Sequence, residues 1–225
     1  MFRGILASIG RWLRPHRTIP HLPWMAKGRW KPTPPSLAIL ILGLFLFGVG
    51  EAFLVQSALG NSPWVVLAQG FSLHTGMNLG WATFVTSCAV LLLWIPLRER
   101  PGFGTLMNII VIAFALQMGV DAIPRQTIFL AQLIFALVGV LCVGVASALY
   151  ISSGLGPGPR DGLMTGLHKR TGIRIGRVRL TIEATVLLLG AALGGRVGLG
   201  TALFALFIGQ AVAISFGFLA RLTHK

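Results

Sequence analysis

The sequence predicts an all-α membrane protein with six transmembrane helices, built as two inverted three-helix repeats with both termini on the inner side. Its composition, its six long apolar runs and an ungapped internal match all support this fold. With 55% hydrophobic and 11% charged residues, the chain is too apolar for an ordinary wetted surface and is predicted to lie in a bilayer. Each repeat also contains a short re-entrant or interfacial helix that a Gly/Pro segment initiates.

An ungapped match at an offset of 96 residues relates the two halves of the chain. The second-half segment 154–162, Gly-Leu-Gly-Pro-Gly-Pro-Arg-Asp-Gly, has a weaker copy at 59–64, Leu-Gly-Asn-Ser-Pro-Trp. Because an internal repeat determines the architecture, we divide the chain at the repeats. The divisions are a basic cytoplasmic amphipathic helix and linker (1–36), membrane repeat 1 (37–127) and membrane repeat 2 (128–225).

The first 36 residues are basic and are predicted to lie on the inner membrane surface. They hold seven Lys and Arg and no acid, and apolar residues recur every three or four positions from Phe2 to Leu13. This spacing predicts an amphipathic surface helix, which a Pro-rich basic linker follows. An Arg-rich start without acids is also typical of a mitochondrial presequence, which is the alternative interpretation.

Six apolar runs are long enough to span a bilayer, which takes roughly 20 residues. They cover residues 37–57, 79–97, 103–122, 128–152, 176–194 and 199–220. With the N-terminus inside, the inner segments hold 17 Lys and Arg and the outer segments hold 2, so both termini are predicted to be inside. Since each half has an odd number of spans, the second half must cross the membrane in the opposite sense to the first.

The Gly/Pro segments are predicted to end a span and to begin a short helix at Pro63 and at Pro159. In one interpretation the short helices are re-entrant, and their free N–H groups point into a cavity that suits an anionic group. In the other they lie flat at the two interfaces as connectors. The first interpretation gives these candidate solute-binding residues: Gly60, Pro63, Trp64, Gly156, Gly158, Pro159, Arg160 and Asp161.

Glu51 is a further candidate, because it lies inside the first span without a basic residue within four positions. A charge at the bilayer centre costs on the order of 3 kcal/mol on insertion scales, so this carboxyl needs a partner or water. It would serve as a cation or proton site, or lie near enough to the outer interface to meet water or Arg125. Glu183, four residues after Arg179, is instead predicted to form an intrahelical ion pair with a structural role.

The sequence contains no CxxC, HExxH, Walker-loop or G-x-S-x-G motif. His74 and His168 are predicted on opposite sides of the membrane and cannot share a metal ion. We therefore expect no enzymatic activity, no catalytic residues, no metal and no cofactor. The glycines of the long spans, such as Gly43 and Gly139, are predicted to allow close helix crossing.

Several of these motifs together resemble the YczE/YitT-type family of bacterial integral membrane proteins. They are Leu-Gly-Pro-Gly-Pro-Arg-Asp-Gly-Leu (155–163), Thr-Gly (171–172) and Gly-Leu-Gly-Thr (198–201), with the first-half copies at 59–64 and 102–105. The resemblance covers about residues 37–220 and implies a multi-pass protein of the bacterial inner membrane, without implying catalytic residues. Related proteins tend to have Asp after the Trp of the first-half motif, where this chain has Val65.

We expect a transporter or channel for a small anionic or zwitterionic solute, with Arg160 and Asp161 gating the inner side and Glu51 as a coupling residue. The alternative is a non-transporting accessory or scaffold protein. It would bind a cytoplasmic acidic partner or anionic lipid through the N-terminal helix and residues 160–179. The net charge of +14 lies between apolar spans, which favours anionic lipid at the inner face over nucleic acid.

Overall fold

The computed structural model describes residues 22–223, so the amphipathic helix and the presequence alternative, which concern the first 21 residues, lie outside the described part. Within residues 22–223 all regular secondary structure is helical. The helices are α1 (Pro34–Ser57), α2 (Pro63–Thr75), α3 (Leu79–Leu92), α4 (Trp94–Leu97), α5 (Phe103–Ala122), α6 (Phe129–Ser152), α7 (Pro159–Thr171), α8 (Ile175–Ala192) and α9 (Leu199–Thr223). The predicted all-α class is confirmed.

Five helical stretches in the described part are long and apolar enough to cross a membrane: α1, α3 with α4, α5, α6 and α9. A short break at Leu93 separates α3 from α4, because Pro96 has no N–H to bond the carbonyl one turn earlier. The remaining predicted span, 176–194, which is the fifth along the chain, forms helix α8, but Arg177, Arg179 and Glu183 lie in its N-terminal part. By length and composition the structure therefore supports five spanning helices.

The outer surface of the helix assembly is apolar. Large exposed hydrophobic side chains occur on every long helix, among them Leu42, Phe114, Leu141, Leu188 and Leu206. A soluble monomer rarely exposes so much contiguous apolar surface, whereas lipid chains solvate it well. The exterior therefore suits contact with a bilayer.

The two short helices occupy equivalent positions, since α2 and α7 each start and end 96 residues apart. Each begins at a proline, which has no N–H to leave unbonded in the first turn. Each ends at a glycine in the left-handed region, Gly76 with φ 72° and Gly172 with φ 69°. Both predicted short helices are thus confirmed as helices.

The core lies where α1 crosses α6, with α5 packed on α1 and α9 packed on α6. A Cβ atom at Gly43 would lie 2.8 Å from the backbone nitrogen of Tyr150, and one at Gly139 would lie 2.8 Å from the backbone oxygen of Gly50. These glycines bring the two helix backbones close together, as predicted. Around this core α2 packs on α8 and α3, and α7 packs on α3, α4 and α8.

Residues 22–33, predicted as part of a linker, are folded against the second Gly/Pro segment. The backbone N–H of Ala26 donates to the carbonyl oxygen of Ser153 at 2.9 Å, and the indole N–H of Trp24 donates to the hydroxyl of Ser152 at 3.1 Å. This stretch of the predicted linker is therefore held against the end of α6, which the sequence alone did not indicate. Leu22 and Ala26 are buried, and Ala26 packs in one cluster with Tyr150 at the end of α6.

Candidate functional site

A cavity of about 120 Å³ lies between the two halves of the chain. Helices α1, α2 and α5 of the first half and α6, α7, α8 and α9 of the second half contribute side chains to its wall. The polar ones include Ser62, Asn108, Ser147, Tyr150, Arg160 and Asp161. The cavity is therefore a mixed polar and apolar site that neither half forms alone.

The N-terminal ends of both short helices reach this cavity. Pro63 and Trp64 at the start of α2 line it, as do Gly158, Arg160 and Asp161 at the start of α7. The first N–H groups of a helix have no intrahelical acceptor and carry the positive end of the helix dipole. The structure thus brings five of the nine candidate residues, and two helix N-termini, to one cavity.

Arg160 is the charged group that links the short helices. Its guanidinium carbon lies 5.1 Å from the ring centroid of Trp64, which is the geometry of a cation–π contact. Its Nη1 atom lies 3.9 Å from Oε1 of Glu51, so one cation of the second half approaches the buried carboxylate of the first half. At that length the contact is an ion pair without a hydrogen bond.

Glu51 is fully buried, at 0% exposure, and lies behind the start of α2. The hydroxyl oxygen of Ser62, the residue immediately before α2, is 2.8 Å from each of its two carboxylate oxygens and can donate to one of them at a time. Within residues 22–223, Glu51 therefore meets no water-exposed surface, and its ion pair is with Arg160 and not with Arg125. The cation that faces this carboxylate is Arg160, which local sequence spacing could not reveal.

Asp161 faces a second polar partner. The phenolic hydroxyl of Tyr150 donates a hydrogen bond to Oδ2 of Asp161. Beyond this pair lies a second cavity of about 680 Å³, beside Arg29 and the exposed Lys169. The two cavities share the lining residues Ile151, Asp161, Met164 and Arg179, so the Tyr150–Asp161 hydrogen bond lies where they meet.

The other three candidates, Gly60, Gly156 and Pro159, do not line the first cavity. Gly60 and Gly156 have φ angles of +117° and +114°, which L side chains rarely adopt, and they shape the two turns. Gly156 also lines the second cavity. The carbonyl oxygen of Pro159 accepts a hydrogen bond of 2.9 Å from the indole of Trp94, which fixes the start of α7.

Each turn is anchored on the opposite half of the chain. The carbonyl oxygen of Leu59 accepts from the N–H of Gly200 at 2.8 Å, and that of Leu155 accepts from the N–H of Gly104 at 2.8 Å. The partners Gly200 and Gly104 lie in the first turns of α9 and α5. These two bonds are equivalent at the 96-residue offset, so the positions of both helix N-termini depend on contacts between the halves.

Sequence reasoning missed several residues of the wall. Arg179 and Glu183 form the predicted ion pair at 2.8 Å, which is confirmed, but both also line the cavity. Tyr150 is the one tyrosine of the chain, and Asn108 is an amide inside an apolar span, so both carried a signal that could have been used. Within residues 22–223, no group of three His, Cys, Asp or Glu side chains is placed to hold a metal ion.

Comparison with known proteins gives a family and two informative relatives. The sequence pattern of a family of unknown function, DUF6198, matches residues 35–216. A Haemophilus influenzae protein is 44% identical over 208 residues, which cover 92% of this chain and 95% of the relative. The Bacillus subtilis membrane protein YczE is 30% identical over 175 residues, which cover 77% of this chain and 81% of the relative. No solved structure matches the chain.

The similarity to YczE confirms the resemblance drawn from the Gly/Pro motifs. YczE is described as a membrane protein, and the present chain has several helices long and apolar enough to span a membrane. Together these two findings identify a multi-pass membrane protein.

Proposed function

The chain belongs to DUF6198, and on that premise we propose that it is a transporter- or channel-type protein for a small anionic or zwitterionic solute. The observation that carries the proposal is the shared cavity, which the N-terminal ends of α2 and α7 both line. At membrane depth, non-helical backbone is tolerated where it is buried in protein or lines a cavity. Broken helices whose N-termini point at a solute are a recurring arrangement in transporters.

The proposed architecture has six spans, with α8 as the fifth along the chain, and two inverted halves whose termini are both inside. Its support is the coincidence of helix starts at the 96-residue offset, as in α2 and α7, together with the 17 to 2 distribution of Lys and Arg. Helix α8 has 18 residues, within the range of lengths that cross a bilayer. The positive charge would then face the cytoplasm of a bacterial inner membrane.

In this proposal the second cavity, beside Arg29 and Lys169, is the inner mouth and the first cavity is the binding site. Asp161 lies at the junction of the two and is held by Tyr150, which makes that hydrogen bond the inner gate. Arg160 supplies the positive charge of the site, and Glu51 is the coupling residue. A solute would have to part Asp161 from Tyr150 to pass.

The test is flux into liposomes that contain the purified full-length protein. The solutes are radiolabelled lactate, alanine and inorganic phosphate, each compared with protein-free liposomes. We expect flux of at least one solute, strongly reduced by Arg160→Gln and unchanged by Arg170→Gln, an exposed residue of the same helix. Background flux for all solutes, with folded protein in the liposomes, would overturn the proposal.

One observation favours the scaffold alternative, in which the basic inner face binds an acidic partner or anionic lipid. Arg170, Arg174 and Arg177 are all exposed, although none of them lines either cavity. Neutralising these three residues together should leave solute flux intact if the protein transports. The scaffold function would be favoured if the neutralised variant no longer bound anionic vesicles and the parent protein showed no flux.

A further inference from the structure

The guanidinium of Arg160 has hydrogen-bond donors that no residue of the described part accepts. A guanidinium carries five N–H donors. Among residues 22–223 it makes no hydrogen bond, and its contacts are the 3.9 Å ion pair to Glu51 and the ring of Trp64. Its side chain is 20% exposed and lines the cavity of about 120 Å³. The planar fork of these donors matches a carboxylate, so the cavity suits a carboxylate ligand.

The charges around the cavity limit how such a ligand can enter. Two cations, Arg160 and Arg179, face three carboxylates, those of Glu51, Asp161 and Glu183. A bare anion would add a fourth negative charge to a poorly solvated site, which is strongly unfavourable. An anionic ligand therefore requires a positive charge to enter with it.

We propose, building on the transport function proposed above, that the cavity takes one small monocarboxylate on Arg160 together with one proton on Glu51. The ligand carboxylate replaces that of Glu51 beside the guanidinium. The side chain of Glu51 is 1% exposed, and a buried carboxylate without its cation is unfavourable. Glu51 therefore takes up one proton from the buffered solution. The protonated carboxyl of Glu51 then donates a hydrogen bond to the hydroxyl oxygen of Ser62. This reverses the direction of the bond in the structure, in which Ser62 is the donor. One anion and one proton enter, so the net charge of the site is unchanged.

The charged and polar groups on the helices around the cavity indicate that Glu51 is the group that takes up the proton. Arg160 on α7 is its cation, and Ser62 at the start of α2 is its hydrogen-bond donor. Helix α5 presents the neutral Asn108 to the cavity. On α6, Tyr150 is hydrogen-bonded to Asp161.

Across the cavity, Arg179 and Glu183 of α8 pair with each other at 2.8 Å. Each of the other carboxylates thus keeps its own partner when the ligand binds. Only Glu51 loses its charged partner.

The size of the cavity bounds the ligand. A cavity of about 150 Å³ holds benzene, which has six heavy atoms, so in proportion about 120 Å³ holds about five. Lactate, with six heavy atoms, is at the upper edge of this size and is a suitable probe. Lactamide and alanine share its three-carbon frame, the first as a neutral molecule and the second as a zwitterion, so the three probes differ mainly in charge.

The experiment is calorimetric titration of the purified full-length protein at pH 7 in two buffers of different ionisation enthalpy. The difference between the two enthalpies gives the number of protons bound with each ligand. We expect lactate to bind with about one proton, and lactamide and alanine to bind at least about tenfold more weakly, which is about 1.4 kcal/mol. Lactate binding without proton uptake, preference for alanine, or no lactate binding at all would each overturn the proposal.

Three variants sharpen the test. Glu51→Gln keeps the shape and should bind lactate without proton uptake, whereas Arg160→Gln should lose at least about tenfold in affinity. Arg170→Gln, exposed on the same helix, should match the parent protein. Proton uptake that persists in Glu51→Gln would overturn the role of Glu51. If alanine crosses liposomes and lactate does not, this inference fails while the transport function stands, and if no solute crosses, the transport function fails.

Discussion

Nη1 of Arg160 on α7 lies 3.9 Å from Oε1 of Glu51 on α1, so an ion pair joins the second half of the chain to the first. Glu51 is buried and Arg160 lies against Trp64 at the start of α2, which places the pair among three helices. The two short-helix N-termini and the central helix α1 therefore meet at one electrostatic contact. Both the stability of the assembly and the chemistry of its cavity should depend on it.

A double-mutant cycle on Glu51 and Arg160 should show coupling between them. Arg160→Gln alone leaves a buried carboxylate without its cation and should destabilise the protein by about 2 kcal/mol, less than a fully buried pair because Arg160 is 20% exposed. Adding Glu51→Gln should recover part of that loss. The measurement is the free energy of unfolding in detergent. Strictly additive effects of the two substitutions would contradict the coupling.

A methyl group at the crossing of α1 and α6 should destabilise the core. In Gly139→Ala the new Cβ would lie 2.8 Å from the backbone oxygen of Gly50, and overpacking of this kind costs about 1–3 kcal/mol. Gly209→Ala on α9 is the matched control, since nothing lies within 4 Å of its Cβ and alanine favours a helix. Thermal unfolding should show a lower midpoint for the first variant and an equal or higher one for the second. Equal midpoints would argue against close packing at this crossing.

Loss of the hydrogen bond between Tyr150 and Asp161 should open the route between the two cavities. Ser147 lines the first cavity, so a cysteine there reports on access to it. In a background without Cys88 and Cys142, Ser147→Cys should react several times faster with a small water-soluble thiol reagent when Tyr150→Phe is added. Labelling of a cysteine at the exposed position 170 should not change. An unchanged rate at position 147 would show that this hydrogen bond does not close the passage.

Truncation of the N-terminus should be tolerated only up to residue 21. Deletion of residues 22–33 removes the hydrogen bonds of Ala26 to Ser153 and of Trp24 to Ser152, and it uncovers the end of α6. Deletion of residues 1–21 removes none of these contacts. The longer truncation, from residue 1 through 33, should lower the unfolding midpoint clearly more than the shorter one. Equal midpoints would mean that the packed segment contributes little to stability.

Much of the fold was predictable because its signals are local in sequence. Apolar run length located the long helices, with α5 at the predicted residues 103–122. Prolines and glycines located both ends of α2 and α7. The break at Leu93 was missed, although Pro96 was visible, because the run stays apolar across it.

The contacts of the site were not predictable, because they join residues far apart in the chain. Arg160 was predicted at a gate, and only the tertiary fold brings it beside Glu51 and Trp64. Residues 22–33 were read as a linker because their prolines and basic residues suggest loose chain. Their backbone hydrogen bonds depend on the position of the second Gly/Pro turn, so no local sequence pattern indicates them.

The measurement that bears most directly on transport is the accessibility of Ser62→Cys and Gly158→Cys from each side of the membrane, in a background without Cys88 and Cys142. Both positions line the same cavity, one before each short helix. A small water-soluble thiol reagent added to either side alone should therefore reach both cysteines as the protein alternates. If each cysteine reacts only from the side of its own loop, the short helices do not share an aqueous cavity and the transport function is contradicted.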